Sequence, residues 1–83
     1  MPIRVKVLYF GQARDATEVA EEDVSLPNRS SVAFLVTRST TVHGRLQRIS
    51  AAMRIAVNEE ISKGDQTLAD GDVVAFLPPV AGG

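Results

Sequence analysis

Apolar side chains at Ile3, Val5, Val7 and Tyr9 alternate first with Arg4 and Lys6 and then with Leu8 and Phe10. A period of two over this length puts one row of side chains on each face of a pleated strand and buries the first row. One such strand needs others to shield it. The 83 residues leave room for a single core, near the lower size at which a domain holds without disulfides or metal, so the chain must close a small sheet and cover one face of it. The middle of the chain supplies the cover. Ser31 is placed to cap a helix from Val32 to about Val42 that gathers Val32, Leu35, Val36 and Ser39 on one side, and its Val, Thr and Ser content requires packing to hold it. Gly44 is its natural stop, and Arg45 to Ser50 allow a further short helical turn.

Gly11 to Asp15 reads as a loop, Thr17 to Leu26 as a second strand closed by Pro27-Asn28, and Met53 to Asn58 as a third strand. Gly64-Asp65 is a turn, Thr67-Leu68-Ala69 a short tight segment, and Asp70-Gly71 a turn into the last strand at about Val73 to Leu77. Strands before and after one helix imply an α+β roll, with a mixed sheet of four or five strands and the helix packed on one face. The domain is expected to occupy residues 1–77, with residues 78–83 as an extended tail, Pro78-Pro79-Val80-Ala81-Gly82-Gly83. Two prolines stiffen its approach, and a Gly-Gly end can thread a channel too narrow for any residue with a Cβ. The C-terminus itself therefore reads as the reactive group.

Composition removes several function classes. There is no cysteine and only one histidine, His43, so thiolate chemistry, a metal site and a histidine-based triad are not expected. His43 reads as a solvent-facing helix residue. Residues 29–58 hold Arg29, Arg38, Arg45, Arg48 and Arg54 but no acid; with no interleaved aromatics and a sequence pI near 5.7, this is a solvated helical face rather than a nucleic-acid surface. No apolar run approaches the roughly 20 residues that cross a bilayer, and the charged, alternating start is unlike a signal peptide, so a cytoplasmic protein is expected. Glu59, Glu60, Asp70 and Asp72 read as turn supports or as complements to basic groups on partners, and Asn58 as a strand-end residue bonding nearby backbone.

The opening Val5-Lys6-Val7-Leu8-Tyr9-Phe10 with Arg14-Asp15, the internal Ala56-Val57-Asn58-Glu59-Glu60, and the closing stretch from Leu68 through Asp70-Gly71-Asp72 and Phe76-Leu77 to Gly83 resemble the small subunits of molybdopterin synthase. These are sulfur carriers of the ubiquitin-like β-grasp fold, and the resemblance spans nearly the whole chain. It implies that the first and last strands are parallel neighbours at the sheet centre, so that Phe10 and Leu77 meet on the outward face, with Ile61 a candidate third member of the patch. It also implies an ATP-using adenylyltransferase of the ubiquitin-activating type that activates the Gly83 carboxylate, after which a C-terminal thiocarboxylate forms. The large subunit then receives the tail and transfers the sulfur to cyclic pyranopterin monophosphate.

On that pattern Gly83 and Gly82 carry the chemistry, while Phe10, Arg14, Ile61, Leu77, Pro78, Pro79, Val80 and Ala81 engage partners. This chain would bind no cofactor itself, ATP being used by the activating partner, and catalytic side chains would come from the large subunit in a heterotetramer of two small and two large subunits. Related carriers serve thiamine synthesis or tRNA thiolation, and a ubiquitin-like protein modifier shares the Gly-Gly end.

Overall fold

The computed structural model describes residues 1–79, and in it Ile3–Tyr9 form β1 with the expected alternation, Ile3, Val5, Val7 and Tyr9 being buried. β2 (Glu21–Leu26) returns antiparallel beside it, pairing Ile3 with Leu26 and Leu8 with Glu21. β5 (Val73–Leu77) lies parallel to β1 on its other side, β3 (Arg54–Val57) is antiparallel to β5, and β4 (Glu60–Ser62) closes the far edge. The order β2-β1-β5-β3-β4 puts the first and last strands side by side at the centre. This is the β-grasp arrangement.

α2 (Val32–Val42) begins where its cap requires, the Ser31 hydroxyl oxygen accepting the Phe34 N–H at 3.1 Å. Its buried residues are Val32, Leu35 and Ser39, with Val36 partly buried, and they close over Val5, Val7, Val74 and Phe76 of the sheet. Burial of this apolar stripe outweighs the weak helix propensity of the segment. A short 3-10 turn (Gly44–Leu46) and α3 (Gln47–Ser50) come next, and Leu46 is fully buried.

Three expectations need correction. Gln12–Thr17 form a helix, α1, where a loop is expected, because Ala13, Ala16 and Thr17 share one face that packs inward; six residues are too few to show a helical period. β2 consequently starts at Glu21, not Thr17. Ile61 belongs to β4, a three-residue strand paired through Ala56↔Ile61, and Asn58 and Glu59 take φ of 52° and 74° in the tight turn that makes the pairing possible.

His43 is the third. Its side chain is only 17% exposed, and Nε2 lies 2.8 Å from Glu22 Oε2, the same oxygen that accepts the Tyr9 hydroxyl at 2.5 Å. The imidazole meets the Tyr9 ring edge-on at 5.6 Å. Burial by itself pushes the Glu22 carboxyl up, but the bonds from Tyr9 and His43 outweigh it and hold the group below its ordinary value. Burial, reinforced by the bond to Glu22, raises the Tyr9 phenol well above its ordinary range. A lone polar residue at a helix end gives no sign in the sequence that a carboxylate on β2 will meet it.

Candidate functional site: an apolar sheet face at the root of the tail

Strand register builds the face opposite α2. Leu8 pairs with Ala75, Ala75 with Ala56, and Ala56 with Ile61, so one row of apolar side chains crosses four strands on the outward side. Leu77 lies two residues beyond Ala75 on the same face, and Phe10 follows β1 with its N–H donated to Phe76 O at 3.3 Å. Leu8, Phe10, Ala56, Ile61, Ala75 and Leu77 line one concavity of about 350 Å³. The two alanines at its centre make it concave, and the larger side chains form its walls. Phe10 is 45% and Ile61 58% exposed, so both have apolar area still in water, which favours a partner that covers it.

The elements leave Arg14 near the same edge. It lies on α1, exposed, and lines a second shallow depression with Phe10 and Gly11. Pro78 is half-buried and Pro79 exposed at the end of β5. Val80, Ala81, Gly82 and Gly83 lie outside the described residues.

The position of β5 is set from its other end. Asn58 Nδ2 donates to Asp72 Oδ1 at 2.9 Å, Asn58 Oδ1 accepts the Val73 N–H at 2.9 Å, and Asp72 Oδ2 accepts the Ala69 N–H at 2.8 Å. Asp70 Oδ1 accepts the Arg4 N–H at 2.8 Å, and Gly71, with φ of 88°, donates its N–H to Arg4 O at 2.8 Å. These bonds key β5 to both β1 and the β3–β4 turn. Asp70 and Asp72 thus support turns, and Asn58 bonds backbone as its strand-end position predicts.

Among the described residues no three His, Cys, Asp or Glu side chains come together to hold a metal ion, and no helix is long and apolar enough to cross a membrane. Sequence reasoning missed Ala56, whose place in the patch depends on β3 lying next to β5.

Comparison with known proteins agrees with this geometry. Residues 7–83 match the model described as the ThiS family. A molybdopterin synthase sulfur carrier subunit of Mycobacterium tuberculosis is 42% identical over 82 residues, covering 98% of this chain and 99% of the relative. A solved structure from Pyrococcus furiosus, assigned as molybdopterin converting factor subunit 1, is 34% identical and superposes with a TM-score of 0.88 over 94% of this chain and 99% of its own. A complex of subunits 1 and 2 of molybdopterin-converting factor from Helicobacter pylori contains a chain of the same fold, at a TM-score of 0.71 and 24% identity, covering 98% of this chain and 100% of that one.

Proposed function

The chain belongs to the ThiS family and, within it, to the molybdopterin synthase sulfur carrier subunits, and from this we propose how it carries sulfur for molybdenum cofactor synthesis. The terminal Gly83 carboxylate is a poor electrophile, so an oxygen of it first attacks the α-phosphorus of ATP on an adenylyltransferase of the ubiquitin-activating type, releasing pyrophosphate. A persulfide sulfur then attacks the acyl carbon and expels AMP. A thiol cleaves the resulting sulfur–sulfur bond and leaves a thiocarboxylate on Gly83. Like a cysteine thiolate, this group is ionised at neutral pH and strongly nucleophilic.

In the large subunit the thiocarboxylate gives its sulfur to cyclic pyranopterin monophosphate, and water restores the carboxylate. Two loaded carriers supply the two sulfurs of the dithiolene. The small chain contributes no acid or base; docking holds its terminal sulfur at high effective concentration beside the acceptor. Binding no cofactor of its own, it works in the cytoplasm, where ATP and the activating enzyme are found, and two copies flank a pair of large subunits.

The observation that carries the reading is the apolar row Leu8, Ala75, Ala56 and Ile61, walled by Phe10 and Leu77, at the root of a Gly-Gly tail. A partner that covers this row lies beside the tail. The experiment is pterin conversion: thiocarboxylated chain, cyclic pyranopterin monophosphate and a large subunit are mixed, and molybdopterin is measured. Formation of the dithiolene supports the proposal. A loaded chain that sulfurates a thiazole precursor or tRNA but not the pterin contradicts it, and so does a chain recovered conjugated to lysine.

A further inference from the structure

Pro78 comes directly after the last residue of β5 and has no N–H with which to extend the ladder. Its ring instead lies over the backbone of Gly11, on the turn that leaves β1. A Cβ placed on Gly11 would stand 2.9 Å from Pro78 Cγ and 3.7 Å from Pro78 Cβ, the first of these closer than side-chain carbons approach one another.

Gly11 has φ of 51° and ψ of −123°, the angles of the first central residue of a type II′ turn, which glycine alone adopts without strain. The turn closes through the Ala13 N–H, donated to Phe10 O at 2.9 Å. Two separate demands for a missing side chain therefore coincide in one residue. The contrast with Gly71 separates them: it too has a positive φ, 88°, but nothing lies within 4 Å of where its Cβ would be. Gly71 serves its turn only. Gly11 serves its turn and also makes room for the first residue of the tail.

The geometry points to Gly11 as the positioning residue of the reactive tail: its bare backbone seats Pro78 against the β1–α1 turn, and that seat sets the direction in which the chain leaves β5. The assignment rests on the sulfur-carrier reading. Docking through the apolar face fixes the body of the carrier, whereas the seat fixes the aim of its terminus. A side chain at position 11 therefore spoils alignment more than binding.

The test is steady-state sulfur transfer from full-length thiocarboxylated carrier to the pterin on the large subunit, with thermal unfolding of each carrier in parallel. Gly11→Val should lower kcat by about 10²-fold, the scale of an ångström-sized misplacement at a reacting centre, with KM for the carrier little changed. Gly11→Ala should move kcat the same way by less, which keeps the test open if the valine variant folds poorly. Pro78→Ala alone takes away the seated ring without touching the turn at Gly11. It should lower kcat in the same direction as the Gly11 variants with KM for the carrier and Tm little changed, a loss that strain at position 11 cannot produce. Normal kcat in both Gly11 variants, or a loss of kcat that tracks Tm in them while Pro78→Ala keeps normal kcat, would overturn the assignment and leave Gly11 a turn residue. Absence of transfer from the unsubstituted carrier would overturn the sulfur-carrier reading and this assignment with it.

Discussion

Asn58 shows how one side chain can hold a functional strand in place. It occupies a left-handed turn position, donates to Asp72, and accepts from the backbone N–H of Val73 where β5 begins. Asn58→Ala removes both side-chain bonds and strains the turn, for a loss of about 1–2 kcal/mol on an exposed residue. Asn58→Gly keeps the backbone angle and should lose less. In a domain of this size each kcal/mol lowers Tm by roughly 4–8 °C, so calorimetry resolves the two. Glu22 gives a second prediction at this scale. Its pKa is lower folded than unfolded, so the stability it contributes is present above the ordinary value of 4.5 and is lost as pH falls through the lowered native value. Glu22→Gln should flatten this acid limb in denaturant titrations across pH; a limb as steep as in the unsubstituted protein would contradict the pairing with Tyr9 and His43. The Asn58 role was legible because an asparagine at the end of a strand tends to bond nearby backbone. The Glu22–His43 contact was not, since it joins residues 21 positions apart through packing that no local pattern encodes.

Among the elements, those that bury a periodic face were the ones that could be read. β1 and α2 appear where alternation or the i, i+3, i+4 spacing puts them, β5 appears where an apolar run follows the turn at Asp70-Gly71, and α2 keeps its expected start, end and inward residues. The short pieces escaped. α1 buries two residues and β4 spans three, so their formation is decided by what they pack against rather than by local preference. The pairing of β1 with β5 was available through family resemblance and not through periodicity, which says nothing of strand order. That pairing produces the outward row ending in Phe10 and Leu77. Phe10→Ala and Leu77→Ala should each weaken binding to the large subunit by tenfold or more, the scale at which buried interface residues count, while lowering Tm by only a few degrees because neither side chain belongs to the buried core. Leu35→Ala, fully buried beneath α2, should do the reverse: about 2–5 kcal/mol of stability lost. Isothermal titration beside thermal unfolding gives both rankings.

In the proposed mechanism the whole molecule divides its labour between a folded body that docks and a terminus that reacts. Among the described residues the buried core extends over the sheet and α2 and stops short of Pro78, so stability and transfer should be separable at the tail. Deleting Gly83, or Gly82→Leu, should leave Tm unchanged and abolish sulfur transfer. The Gly-Gly end stands plainly in the sequence, and the apolar face does not, because that face exists only after β1, β5, β3 and β4 are placed side by side. The most direct measurement is the intact mass of the chain after incubation with ATP, an adenylyltransferase of the ubiquitin-activating type, a persulfide donor and a reducing thiol. The expected result is a mass increase equal to one sulfur replacing one oxygen, located on Gly83 by fragmentation and absent when ATP is withheld. An unchanged mass under those conditions, or a sulfur found on any other residue, would contradict it.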